Sequence, residues 1–378
     1  MTSVKMAVVG GGVSGLTFAR VMQKQGHDVV IFEREPWRHS RTQGGILDLH
    51  VESGQWALSQ AGLMSEFQAM ILEGAQDTRI VDKTGALLWD EVGPPGDTGR
   101  PEIDRPALRA LLLDSLQSDT VQWGHHLMAI QPSGSQGHSL HFANGTTVTA
   151  DIVIGADGAR SRVRPLVTDA QPTYSGVSWF ELRIPEVDRL HPEVAKFVGH
   201  GSFFALGDDK GILGQRNGDG SIRAYATFRS PDGSFPDMKE ALSDAAASRK
   251  AVASLFQGWA PKILNIIHAC DDILTLRPLM VLPVGVKWPS KPGVALLGDA
   301  AHLMVPFGEG ANQAMQDGAE LALKLAQYSD ANEAIAAYEK KMFERTKAAA
   351  EDSAQALEMC ISPNGAQQLA EFLSQAGS

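Results

Sequence analysis

Val4-Lys5-Met6-Ala7-Val8-Val9-Gly10-Gly11-Gly12-Val13-Ser14-Gly15, then helical spacing from Leu16 to Lys24, then Val29-Val30-Ile31-Phe32-Glu33, is the stretch that decides the fold. It reads as strand, glycine turn, helix and second strand, with an acid where a dinucleotide's ribose lies, the opening of a Rossmann-like α/β sheet. Gly10 lets the chain leave the strand sharply, Gly12 lets the backbone approach a pyrophosphate, and Gly15 lets the helix pack on the sheet. The helix N-terminus offers N–H groups and a positive dipole end to the phosphates. Glu33, with Arg34 beside it, is placed to meet the ribose. An ordinary tight turn is the alternative, and the acid at this spacing weighs against it.

Length and composition bound what lies outside that unit. At 378 residues the chain is long for one core, so two domains or a large one with an inserted layer are expected. Residues that are 43% hydrophobic and 20% charged suit a soluble globular protein. Against 33 basic residues stand 44 acidic ones, a formal charge of −11, which argues against nucleic acid or an anionic membrane as the main partner. The first strand begins too early for a signal peptide and no apolar run reaches membrane-spanning length, so a cytoplasmic setting is expected. Cys270 and Cys360 lie far apart without metal-ligand spacing; no disulfide framework and no metal site is implied, and buried thiols are expected.

Past Glu33, Arg34 to Gly45 is a polar, breaker-rich loop, and Gly44-Gly45 suits either a ligand-covering segment or a plain surface turn. Ile46 to His50 starts a strand in which Asp48 is alternatively a helix cap. Helical spacing runs from Glu52 to Met70, two strands flank the turn Lys83-Thr84-Gly85, and Val92 to Pro101 is an exposed loop. Ile103-Asp104-Arg105-Pro106 opens a helix through Arg109 to Leu116, with Asp104 as candidate N-cap. Arg105 at that entrance either reaches a ligand or sits at the surface. Asn144-Gly145 turns a hairpin that feeds Ile152-Val153-Ile154-Gly155-Ala156, apolar enough for the inside of a parallel sheet. Asp157-Gly158 to Arg164 is a second glycine turn. Alternating runs between 171 and 285 predict an antiparallel sheet as substrate wall, with helices from Asp237 to Phe256 and Pro261 to Ala269 and a strand from Ile273 to Leu282. Val294 to Leu297 is a buried strand, Gly298-Asp299-Ala300-Ala301-His302 a third turn, and Met304 to Asn312 opens a helix to about Tyr328. Helices from Asn332 to Met359 and Gly365 to Gln375 are expected as outer packing. The expected domains are 1–170 with 286–330, then 171–285, then the C-terminal helices in 331–378.

With glycine turns at 10–15, 155–164 and 298–312, the chain resembles, along essentially its whole length, the single-component FAD-dependent aromatic hydroxylases. That resemblance implies a Rossmann-like FAD-binding domain, an antiparallel substrate domain and C-terminal helices. Within the group the chain is most similar to the tetracycline-inactivating flavin monooxygenases, through Gly44-Gly45-Ile46-Leu47-Asp48-Leu49-His50, Pro101-Glu102-Ile103-Asp104-Arg105 and Gly298 to Met304. By resemblance Gly10, Gly12, Gly15, Glu33 and Arg34 serve the ADP half of FAD, Arg105 and Arg109 reach it from their helix, Asp157 supports the site, and Asp299 lies against the ribityl-pyrophosphate. Gly310, Ala311 and Asn312 lie at the flavin end, Asp48 contacts FAD and Arg41 the nicotinamide cofactor. Where those enzymes hold their drug with Gln, Arg and His, this chain has Glu181, Phe203 and Arg223, and the loop Pro306-Phe307-Gly308-Glu309-Gly310 is one residue shorter.

The chemistry so implied is hydroxylation of a phenolic, polycyclic or polyketide small molecule by O2, with NADPH or NADH as a transient reductant because only one nucleotide unit is visible, in a monomeric enzyme. Inactivation of a tetracycline-like antibiotic is one such reaction. The helix from Gly310 offsets negative charge on the reduced flavin. Pro306 and Phe307 help keep a pocket dry for the peroxyflavin, and the flavin itself makes the bond. His302 is either a base or a loop cap, and Glu181 faces either the pocket or solvent. A halogenase or reductase on the same fold and a flavin-loaded sequestering protein are the alternatives. The double tryptophan of halogenases is absent, Trp179-Phe180-Glu181 being the nearest stretch.

Overall fold

In the computed structural model, which describes residues 2–40, 45–93, 99–134, 137–231, 244–270 and 274–376, Thr2–Val9 lies between Val30–Phe32 and Thr147–Gly155 and runs parallel to both. Ala7, Val8 and Val9 are buried, as the interior of a parallel sheet requires. Val121–Gln122 adds a strand beyond Val30–Phe32. On its other side Thr147–Gly155 takes two partners: its first half pairs antiparallel with Gly137–Phe142, its end parallel with Val294–Leu296. Leu127–Ser133 completes seven strands. A hairpin forms at Asn144-Gly145, but not through the two-residue primed turn that this pair predicts: only Gly145 has positive φ (+83°), and its N–H donates to Phe142 O, so Ala143 joins the loop.

A second seven-stranded sheet is ordered Thr275–Val281, Thr173–Ile184, Ile222–Arg229, Lys210–Arg216, Ser202–Gly207, Thr78–Asp82 and Leu87–Glu91. All its pairings are antiparallel except that of Thr78–Asp82 with Ser202–Gly207. Residues 78–91, which the sequence groups with the first unit, thus form the far edge of the second. Their alternation is local, whereas their partner strand lies far along the chain. A two-stranded ribbon, Ile46–Asp48 with Glu102–Asp104, completes the β structure of the described residues.

Several local expectations are corrected. The helical spacing from Glu52 to Met70 breaks at Gly62, which turns left-handed (φ +70°) and ends Trp56–Ala61 before Met64–Gln68 begins. The helix from Arg105 stops at Asp114, and Asp104 stands at its N-cap without capping it. Its Oδ1 accepts instead from Gly218 N at 3.2 Å, a turn of the second sheet. Asp48 is in a strand and caps no helix. The helix toward Phe256 is Ala245–Leu255 and the strand toward Leu282 is Thr275–Val281; Asp237 and Ile273, where the sequence starts them, lie outside the described residues.

Val13–Lys24 crosses Gly310–Gln327 so closely that a Cβ on Gly318 would lie 2.4 Å from Ser14 O. The helix Ala331–Cys360 buries Tyr338 and Met342 in the first core and Leu357 and Cys360 against the second sheet, joining the two. Both cysteines are buried and free. No helix among the described residues is long and apolar enough to cross a membrane.

Candidate active site

The first glycine turn is fixed by contacts that leave no room for side chains. Gly10 adopts φ +109°, and a Cβ there would lie 2.3 Å from Ala156 O, while one on Gly15 would lie 2.3 Å from Gly10 O. Gly12 differs: a Cβ there meets nothing within 4 Å. Glu33, read as a ribose acceptor, is buried beneath the turn and holds it, accepting from Gly11 N at 2.6 Å and from Glu35 N at 3.0 Å. Arg109 is buried too, donating from Nε to Gly11 O at 3.3 Å and from Nη1 to Arg38 O at 3.0 Å, with Trp123 stacked under its guanidinium. Arg34 and Arg105 are exposed, and Arg41 lies outside the described residues.

The second and third turns are joined by Arg164. Only 3% exposed, it donates from Nε to Ala300 O at 2.8 Å and from Nη2 to Asp299 O at 3.0 Å and Ala159 O at 2.9 Å. Asp157 accepts from Arg162 N at 2.6 Å, and burial pushes its carboxyl up. Asp299 is exposed, at the start of the short helix Asp299–His302. Behind it Asp317, fully buried, gathers Gly298 N at 2.8 Å, His302 Nε2 at 2.6 Å and Arg345 Nη2 at 2.9 Å. Burial acts to raise the Asp317 pKa, but His302 and Arg345 outweigh it and hold the carboxyl below its ordinary value. His302 thus has a structural partner.

The start of Gly310–Gln327 meets the ribbon through Asn312, whose Oδ1 accepts from His50 N at 3.0 Å and whose Nδ2 donates to Asp48 O at 2.8 Å. Gly310 and Ala311 precede it at the helix end. Pro306 is exposed; Phe307 is half-buried and packs in one cluster with Trp179, Phe204 and Leu213 of the second sheet. On the same face Glu181 pairs with Arg223, Arg277 lies 3.9 Å from Glu181, and the Trp179 and Tyr225 rings are 4.4 Å apart. A Cβ on Gly45 would lie 3.6 Å from Tyr225 Oη and 3.8 Å from Arg223 Cδ, so the ribbon of the first unit abuts this face.

Phe203 does not join that face. It is fully buried on the opposite one, its ring 5.1 Å from Phe197 among the covering helices. Side chains alternate along a strand, so Phe204 takes the position expected of Phe203. A cleft of about 560 Å³ among Arg79, Leu87, Glu193, Phe197 and Lys262 also lies away from the glycine turns, and none of the expected site residues line it.

A family model described as FAD binding domain matches residues 3–206 and 286–353. Monooxygenase asqM of Emericella nidulans is 30% identical, over 92% of this chain and 93% of its own. The chain is an FAD-dependent monooxygenase of the FAD-binding-domain family. Among solved structures, Klebsiella pneumoniae HpxO complexed with FAD and uric acid matches with TM-score 0.78 at 21% identity, covering 98% of this chain and 92% of HpxO. Tetracycline destructase Tet(55) matches with TM-score 0.76 at 22% identity, covering 99% and 96%.

The residues present fit FAD. In each of the three turns of this monooxygenase there is open backbone, at Gly12, at Gly158 and at Gly308 and Gly310, where a Cβ would meet nothing within 4 Å, while Gly10 and Gly15 on either side of Gly12 are tightly packed. Open backbone beside a helix N-terminus is what a pyrophosphate needs. Sequence reasoning missed Arg164 and Arg345. Arg164 is one of three arginines at alternate positions, and nothing local distinguishes it from Arg160 or Arg162. Arg345 sits on a helix whose charged faces read as solvent-facing, yet its side chain reaches Asp317 and, at 3.1 Å, Glu320.

Proposed function

We propose that this FAD-dependent monooxygenase hydroxylates a phenolic or polycyclic small molecule, consuming O2 and NADPH or NADH, in the groove between the glycine turns and the Trp179 face of the second sheet. The observation that carries the reading is the composition of that face: Trp179, Phe204, Leu213 and Phe307 pack in one apolar cluster on the side of the sheet that carries the Glu181–Arg223 pair. Apolar walls with few, fixed polar groups are what aromatic ligands occupy. Inactivation of a tetracycline-like antibiotic is the narrower form of the reading, supported by the fold shared with Tet(55).

In this reading FAD, when bound, supplies the oxygen chemistry. Gly10, Gly12 and Gly15 with the helix N-terminus receive the pyrophosphate, Arg109 and Glu33 hold the turn in shape, and Arg34 and Arg105 lie near the ADP half. Asp157 and Asp299 border the ribityl chain. Asp48, Gly310, Ala311 and Asn312 face the ring, where the helix dipole lowers the cost of negative charge. Pro306 and Phe307 exclude water. Glu181, paired with Arg223, accepts a phenolic O–H and orients it. With one nucleotide unit, the nicotinamide donor binds transiently, and Arg41 is its proposed contact.

The test is a panel of phenolic and polyketide compounds scored for accelerated NAD(P)H oxidation in air, with 18O2 labelling of the product. One labelled oxygen per turnover supports hydroxylation. Unlabelled, reduced or halogenated product, or ligand binding without turnover across the panel, refutes it.

A further inference from the structure

His50 ends the Gly44 to His50 motif, and the turn chemistry described above gives it no task. It is 5% exposed, where Ile46–Asp48 meets the helix Gly310–Gln327. Its Nε2 lies 2.9 Å from Asp48 Oδ2 and its Nδ1 2.9 Å from Glu309 Oε1. Carboxylate oxygens only accept, so both ring nitrogens donate and the ring is an imidazolium. Among the described residues, Glu102 lies directly across the ribbon from Asp48, and the charge of Arg100 acts on Glu309.

We propose that His50 is a positioning residue, an imidazolium brace that ties Asp48 to Glu309 and so fixes the ribbon against the helix N-terminus at the width FAD requires. The inference rests on the reading that ribbon and helix end both border the flavin. Without the ring's charge, two carboxylates converge on a mostly buried gap and repel, and the hydrogen bonds through Asn312 at this end of the helix are loaded against their separation. The bond to Asp48 first, then that to Glu309, raises the His50 pKa to about 9. The same contact holds Glu309 below its ordinary value. The brace is therefore fully charged at neutral pH and is lost as pH rises through about 9.

Two readouts test it on the full chain. FAD affinity is followed by quenching of flavin fluorescence from about pH 7 to about 9.5 for wild type, His50→Gln and Glu309→Gln, each carrying Glu102→Gln so that the neighbouring carboxyl, pushed up to about 8, stays neutral throughout. Hydrogen exchange of the flavin-free protein is read at the amides of His50 and Gln313, which donate to Asn312 Oδ1 and Glu309 O. Wild type should weaken about threefold across that range as the charged fraction of the ring falls, whereas His50→Gln should be about tenfold weaker at neutral pH and nearly level thereafter. Both amides should exchange faster in His50→Gln, with the rest of the molecule unchanged. Wild-type affinity in His50→Gln, retention of the wild-type pH fall, or unchanged exchange overturns the brace. Should His50→Gln not fold, Glu309→Gln carries both readouts. A wild type that takes up no FAD refutes the flavin reading instead, and the exchange measurement still judges the brace.

Discussion

Alanine at Gly12 separates the approach of the cofactor from the stability of the fold. Gly12 has φ −80° and ψ 177°, extended backbone that any residue adopts, and a Cβ there meets no protein atom within 4 Å. The methyl narrows the unfolded ensemble, which stabilises by about 0.4–1 kcal/mol. Alanine is a poorer helix N-cap than glycine by a similar amount. The two nearly cancel, so the flavin-free protein should change by less than about 1 kcal/mol. FAD sees something else, because in the proposed site the same methyl fills the space where the pyrophosphate comes closest. A retreat of about 1 Å weakens charge-assisted bonds from the helix amides, each about 1.5–3 kcal/mol, so affinity should fall about ten- to a hundredfold. Gly15→Ala is the converse: its Cβ would lie 2.3 Å from Gly10 O, a backbone atom that must move, at a cost of about 1–3 kcal/mol to the fold. Urea unfolding of the flavin-free variants and FAD titration give both quantities. Undiminished FAD affinity in Gly12→Ala would falsify the placement of the pyrophosphate, and a large loss of stability would show that the space is not open.

Arg345→Ala leaves the buried Asp317 carboxylate without its guanidinium partner, which should cost about 3–5 kcal/mol and loosen Gly298. A melting midpoint lowered by less than about 2 °C, with FAD retained, counts against this. Phe203→Ala should destabilise by about 3–5 kcal/mol yet leave KM unchanged in whatever folds, because its ring faces the covering helices. Phe204→Ala should raise KM with a smaller loss of stability; the opposite pattern in steady-state kinetics reverses the two faces. Burial first, then Asp48, pushes Glu102 up to about 8. The folded state therefore holds this proton more tightly than the unfolded chain, and the stability so contributed is complete below about pH 4.5 and lost as pH rises through about 8. Glu102→Gln, neutral throughout, should be about 2 kcal/mol or more stabler than wild type at pH 9 by denaturant unfolding, and an identical pH profile rejects the idea.

Much of the site was legible because its signals are local. Gly10, Gly12 and Gly15 announce themselves by spacing, and Asn144-Gly145 by turn chemistry. Glu33 stands out in the sequence as a ribose acceptor, and its burial under Gly11 depends on how far the second strand lies from the turn, which spacing does not give. Phe203 and Phe204 are adjacent and chemically identical, so only the strand's register decides which lies on the Trp179 side of the sheet. Asp104 stands at a helix start, where a capping acid is expected, yet the amide of Gly218 claims its carboxylate.

By itself the sequence determined the nucleotide-binding unit, the two apolar strands that return to it near residues 152 and 294, and the alternating strands of a second sheet. Glycine conformation and apolar periodicity act within a few residues and leave their mark there. Tertiary structure alone decided that residues 78–91 join the second sheet, that Arg164 ties two turns together, that Arg345 reaches Asp317 from the C-terminal helix, and that His50 bridges Asp48 and Glu309. Each of these unites groups distant in the chain, where chain closure and the need to neutralise buried charge choose the partner, and neither leaves a local trace in composition or spacing.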